Sequence, residues 1–170
     1  STTLFRAVSN AGLEITRRVG HSHIVYFYEN ILGFDATVFT PSVDFRWRND
    51  TSGPVYIVGI TDVRGGRVTF QLYGFNDGRS VRYIGPVEKN WKQPGVPVWQ
   101  YDPSLPRGAV SQLVHGRPGV DVTYTRITTF SDGTTRTDRY FTRYTPWDDF
   151  FVYGPGVTPP AGVKVIAPRR

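Results

Sequence analysis

Val122-Thr123-Tyr124-Thr125-Arg126-Ile127-Thr128-Thr129-Phe130 is followed by Ser131-Asp132-Gly133-Thr134 and then by Thr135 to Tyr144. Threonine and aromatic side chains suit a pleated backbone, and Asp-Gly supplies the positive φ of a tight reversal, so the stretch reads as a long β-hairpin. Val122, Tyr124 and Phe130 share one face, but Arg126 stands among them. An alternation broken by a charge predicts a thin ribbon that buries little on either side.

Working outward, Val55 to Ile60 and Arg67 to Tyr73 flank Arg64-Gly65-Gly66, a second hairpin with glycines at its turn. Ile24 to Tyr28 and Asp44 to Arg48 also read as strands. The opening Ser1 to Gly12 is the one good helix: Leu4, Val8 and Ala11 repeat at helical spacing, the Ser/Thr cluster suits a cap, and Gly12 suits a left-handed stop. Pro86, Pro94, Pro97, Pro103 and Pro106 predict an extended connector. The expected fold is therefore mainly β: a small α+β sheet domain with one N-terminal helix, then an elongated, thin β-ribbon domain, then an extended tail. The expected boundaries are 1–85, 86–156 and 157–170, the last Pro-rich.

Composition narrows the class. With 170 residues, 39% hydrophobic and 15% aromatic, the chain has enough apolar surface for a core, while Gly 18 and Pro 13 exclude a helical bundle. No run of about 18 apolar residues is present to span a bilayer. Cys 0 removes disulfides and thiolate chemistry from these residues. Met 0, with Ser1 first, is read as a chain that lost only its initiator or was cut from something longer. The charge is +6, and only Lys89, Lys92 and Lys164 among the 20 cations are lysines. No Lys/Arg block or reading motif accompanies that excess, so no nucleic-acid partner is expected.

Few residues look chemical. His21-Ser22-His23 puts alternate rings on opposite faces of a strand, which disfavours a shared metal. Arg64-Gly65-Gly66-Arg67 matches no nucleotide fingerprint. Neither a metal nor another cofactor is expected. Asp148-Asp149 reads as a solvated loop edge. Trp91, Trp99 and Trp147 are candidates for stacking on sugar rings, with burial in a core as the competing fate. Val163, Val165 and Ile166 form a β-prone patch at the end of a Pro-rich strap, a candidate for strand addition to a neighbouring copy.

Several of these stretches together resemble the VanW family of cell-envelope proteins. Ser1-Thr2-Thr3-Leu4-Phe5 is similar to the end of that family's Cys-Gln-x-Ser-Thr-Thr-Leu motif, and Gly20-His21-Ser22 to its Pro-His-Ser segment. Gly33-Phe34-Asp35-Ala36-Thr37-Val38 is similar to its Gly-Leu-Asp-Ala-Thr-Val, and Asp44 to Thr51 to its Phe-Arg-Asn-Asn-Thr box. Beyond them, Asp102 to Gly108, Gly116-Arg117-Pro118-Gly119, Asp132-Gly133 and Val152-Tyr153-Gly154 resemble a G5 domain. Turns and close strand crossings select glycine at such places without any ligand.

The resemblance implies an extracellular place at the cell wall, with wall glycan or peptidoglycan as partner. Some VanW domains act as L,D-transpeptidases through the motif cysteine, which this chain does not contain. By that analogy His21 is a vestigial base or orienting residue, and Asp35, Arg48 and Asn49 are substrate-positioning groups. The expected function is a noncatalytic envelope module that binds glycan or assembles with copies of itself, as a homo-oligomer or a filament joined by the tail strand. The alternative is a processed piece of a cysteine transpeptidase.

Overall fold

In the computed structural model residues 1–167 are described, apart from the side chains of Tyr28 and Glu29. Pro168 to Arg170 of the expected tail lie outside the described residues. One helix, α1 (Thr2–Asn10), precedes β1 (Glu14–Arg17), β2 (Arg46–Arg48), β3 (Val55–Asp62), β4 (Arg67–Gly74) and β5 (Ser80–Lys92). Then come β6 (Val98–Tyr101), β7 (Val110–Val114), β8 (Gly119–Thr129), β9 (Thr135–Tyr144), β10 (Phe150–Tyr153) and β11 (Lys164–Ile166). The chain is mainly β, as its turn-rich composition requires. Its contacts divide it into two compact units: Ser1–His21, Val25–Glu88 and Val122–Thr142 form the first, and Ser22–Ile24, Lys89–Asp121 and the residues from Arg143 on form the second. Composition suggests cuts near 85 and 156, whereas contacts place 122–142 with the first unit.

In the first unit, Phe5 and Val8 of α1 are buried, as are Leu13, Leu32, Ala36, Val122 and Tyr124. Phe34 stacks on Tyr124 at 4.0 Å and Tyr124 on Tyr140 at 4.7 Å, while the Phe5 ring meets Phe45 edge-on at 5.7 Å. Such aromatic contacts add to the area they remove from water. β1 and β2 pair antiparallel, and β3 and β4 form the expected hairpin in register from Val55↔Gly74 to Asp62↔Arg67.

Arg126 explains why the β8 pattern misleads. Its side chain is 0% exposed, bonded to Asp138 and to the carbonyls of Ser9 and Leu13 at the end of α1. A guanidinium there serves carbonyls at and just after the helix end, where no further turn of N–H groups follows. Arg79 and Arg136 do the same for the Gly12 carbonyl, at 3.0 and 2.7 Å, and both pair with Asp50. The expectation that 122–144 buries little on either side is therefore overturned: Val120, Val122, Tyr124, Arg126 and Thr128 present one buried face.

In the second unit a four-stranded sheet has the order β11-β6-β10-β7. β6 lies parallel to both β10 and β11, and β10 is antiparallel to β7. The Trp99 and Phe151 rings, cross-strand partners, stack at 4.9 Å. Gly119 and Gly154 sit at close crossings, where a Cβ would collide with the Tyr144 and Pro106 carbonyls respectively.

Three local expectations are corrected. Residues 24–28 form no strand: a 3-10 helix covers Tyr26–Ile31, since β-prone composition without a pairing partner does not make a strand. The region from Gly85 is not a connector at its start, because β5 runs through Pro86 to Lys92. The end of the tail is not a free strap: Lys164, Val165 and Ile166 pair with Val98, Trp99 and Gln100 of the same chain.

Candidate functional site

The Ser/Thr cluster at the start of α1 does not cap the helix by its side chains as the spacing suggests. Ser1 Oγ donates to the Ala36 carbonyl at 2.5 Å, and the Thr2 hydroxyl meets Ala36 O and N at 3.1 and 3.2 Å. These bonds tie the first turn of the helix to the segment carrying Asp35. Asp35 is 1% exposed, and its Oδ2 faces His21: the His21 N–H donates at 2.7 Å and the ring Nδ1 lies at 2.5 Å. Arg18 holds the other side, with Nη2 on Asp35 Oδ1 at 3.1 Å and Nε on the Asp35 carbonyl at 2.6 Å. Its Nη2 also reaches the Gly33 carbonyl at 2.6 Å and its Nη1 the Thr142 hydroxyl at 2.7 Å.

Burying a carboxylate is costly unless it is paired and hydrogen-bonded, and Asp35 is both. The result is a fixed imidazole. Nδ1 is committed to Asp35, and the ring is about a quarter exposed. A carboxylate that orients a His is a pairing that nucleophile–His–acid sites also use.

The other expected site residues go elsewhere. Arg48, on β2, pairs with the Glu14 carboxylate on β1. Asn49 closes a turn: its amide donates to Gly53 O at 2.8 Å, and its Oδ1 accepts from the N–H and hydroxyl of Thr51. Asp35 itself is buried, with its carboxylate on Arg18 and His21. Arg18, which bridges the site, escapes sequence reading because its partners lie as far away as Thr142.

Within the second unit the three tryptophans differ. Trp99 is engaged with Phe151 and Tyr153. Trp147 lies against His23, ring centroids 4.5 Å apart. Trp91, 49% exposed, lines a groove of about 380 Å³ with Asn90, Lys92, Asp121, Arg143, Tyr144, Thr145 and Pro146. Asp121 accepts from Arg143 Nε at 2.7 Å and from the Asn90 amide at 2.9 Å. The hydrogen bonds from Arg143 and Asn90 lower its pKa to about 2, so the groove carries a permanent carboxylate between cations. Val163, beside β11, and Ile166, in it, are half-buried, while Val165 is exposed.

Comparison with known proteins assigns the first 73 residues to a class. Residues 1–73 match the family model described as VanW like protein, the stretch in which the motifs of that resemblance lie. The VanW family is one of cell-envelope proteins. A relative, the uncharacterized protein YoaR of Bacillus subtilis (strain 168), is 42% identical over 57 residues, which are 34% of this chain and 18% of that protein. The chain thus matches less than a fifth of that relative's length. A solved structure, the crystal structure of HP0197-G5, is covered over 97% of its length by 45% of this chain, at 24% identity and a TM-score of 0.22.

Proposed function

We propose that this chain is an extracellular cell-envelope module that binds wall glycan in the Trp91 groove, with the G5-like motifs of its second half as the frame. The observation that carries the reading is the exposed Trp91 indole beside Asn90, Asp121 and Arg143. An aromatic face offers the apolar side of a sugar ring a flat partner, and charged or amide groups at its border hydrogen-bond the ring's hydroxyls and N-acetyl groups. Sedimentation of the chain with purified peptidoglycan, and quenching of tryptophan fluorescence by soluble chitin oligomers, test it. Trp91→Ala abolishes both responses while Trp147→Ala retains them. Equal binding by wild type and Trp91→Ala sinks the proposal.

A second reading rests on the His21–Asp35 pair: the first unit supplies the base half of an acyl-transfer site for peptidoglycan crosslinks. In such a reaction a thiolate attacks the donor peptide carbonyl and the amine leaving group takes a proton from His21. A second amine then loses its proton to His21 as it displaces the thiolate, forming the new amide. The thiol has to come from a segment outside residues 1–170. The encoding gene decides it: a cysteine codon shortly before Ser1 supports the reading, and its absence ends it.

A further inference from the structure

The β3–β4 hairpin is the exposed apolar feature that neither reading uses. Directly opposed residues of an antiparallel pair point to the same face. Tyr56↔Tyr73, Val58↔Gln71 and Ile60↔Thr69 therefore share one face, ending at Asp62↔Arg67. The opposite face carries Val55, Ile57, Phe70 and Leu72. Val55 and Leu72 line a cleft with Asn10, Ala11 and Leu13 at the end of α1, so that end of the face is turned toward the unit's own helix, while Ile57 and Val68 farther along it are 43 and 48% exposed. The Tyr56 face is the more exposed: Tyr56, Val58, Ile60 and Tyr73 are 67, 41, 47 and 55% exposed, with Tyr73 also at the edge of that cleft. A two-stranded ribbon is marginally stable alone, and a continuous apolar face on it marks a place of contact.

We propose that this face binds the same face of a second copy, forming a two-fold dimer. Area supports that occupant. The four apolar side chains with Gln71, Thr69, Asp62 and Arg67 offer roughly 600 Å² per copy, hence about 1,200 Å² for a pair, where stable specific interfaces begin. Chemistry supports it as well. An isologous contact sets a patch against itself, so its centre has to be free of like charges. Val58 and Gln71 occupy the centre, the only charges are Asp62 and Arg67 at the turn end, and those two are of opposite sign. With a two-fold axis between Val58 and its copy, Tyr56 of one chain covers Ile60 of the other. The proposal is independent of the glycan reading and places self-association away from β11.

Sedimentation velocity of the full chain up to about 500 µM tests it. The wild type reaches twice the chain mass. Val58→Lys, which sets two ammonium groups against each other at the axis, and the milder Gln71→Glu each weaken association at least tenfold. Val63→Lys, at the hairpin turn and off this face, leaves it unchanged, and so does removal of residues 157–170. Circular dichroism reports whether each variant is folded, and Gln71→Glu decides if Val58→Lys is not. A wild type that stays monomeric, a folded Gln71→Glu that associates as the wild type does, or a dimer lost on removing 157–170 overturns the proposal.

Discussion

The Arg126 guanidinium, fully buried, meets Asp138 Oδ2 through Nη2 at 2.7 Å while its Nη1 and Nη2 also serve the carbonyls of Ser9 and Leu13. A charge in the middle of a β-strand thereby becomes the cap of a helix. Removing one partner of a buried pair leaves the other without compensation, which costs about 3–5 kcal/mol. Arg126→Ala is accordingly expected to destabilise the chain by about that much, with Asp138 and the Ser9 and Leu13 carbonyls each losing a donor. Urea denaturation followed by circular dichroism measures it, and a loss below about 1 kcal/mol contradicts this account.

Asp35 stands between Arg18 and His21 in a similar way, but with a ring that reaches the surface. Asp35→Asn keeps the shape and removes the charge, so Arg18 is left buried opposite a neutral amide. A destabilisation of about 3 kcal/mol is expected, together with loss of the slowly exchanging imidazole Nδ1–H proton in NMR spectra. His21→Ala removes a ring that is about a quarter exposed and no buried charge, and is expected to cost about 1–2 kcal/mol. Equal costs for the two substitutions contradict an orienting role for Asp35.

How much of this was readable beforehand depended on sequence distance. The reversals at Arg64-Gly65-Gly66 and Ser131-Asp132-Gly133-Thr134 are written in a few adjacent residues, and both hairpins form there. Arg126 is different, because the acceptors that bring it inside are 117 and 113 residues away. A charge on a strand face looks like a defect until a helix end is known to lie above it. His21 and Asp35 were both legible as motif residues, yet their contact, and the four-way role of Arg18, follow only from how α1 and the 33–36 segment are tied together. The β11 patch was legible as a strand, but not its partner: parallel pairing across 66 positions has no local signature.

The charged groups around Gly12 set the acid limit of stability. Burial opposes ionisation of Asp50, yet hydrogen bonds from Arg136 and Arg79 outweigh it and hold the carboxyl below its usual range; Asp77, bonded to Arg79, is lowered too. A depressed carboxylate contributes stability above its unfolded pKa near 4 and loses it as the pH falls through the folded value. Stability is therefore expected to be level from neutrality to about pH 4 and to decline below it, with Asp50→Asn flattening the decline. Thermal melts at a series of pH values check this.

At the alkaline end the stacked tyrosines act with the opposite sign. Burial raises the Tyr140 phenol to about 12 and raises Tyr124, whose hydroxyl has no hydrogen-bond partner, further still. A phenol kept neutral by the fold contributes its share below the unfolded pKa near 10 and loses it as pH rises through the folded value. Absorbance at tyrosinate wavelengths is expected to rise in two stages, exposed rings first and Tyr124 and Tyr140 only with unfolding. Tyr124→Phe deletes an unpaired hydroxyl without changing the stack, and is expected to raise stability by about 1 kcal/mol. A single stage with all phenols titrating in the folded chain refutes the burial argument.

Two glycines separate crowding from backbone conformation. At Gly119 a Cβ would lie 2.5 Å from the Pro146 ring and against the Tyr144 carbonyl, closer than real contacts permit. At Gly133, in the β8–β9 turn with φ of 82°, a Cβ meets nothing within 4 Å. Gly133→Ala therefore carries only the cost of a left-handed conformation, about 1 kcal/mol. Gly119→Ala has to displace backbone and a proline ring, which costs about 2–4 kcal/mol and shifts the Arg117–Trp147 bridge, whose reciprocal bonds measure 2.7 and 2.9 Å. Because Trp147 closes that bridge, its fluorescence maximum is expected to move in Gly119→Ala and to stay put in Gly133→Ala. If Gly133→Ala is the more destabilising of the two, crowding at the β8 start is not what requires a glycine there.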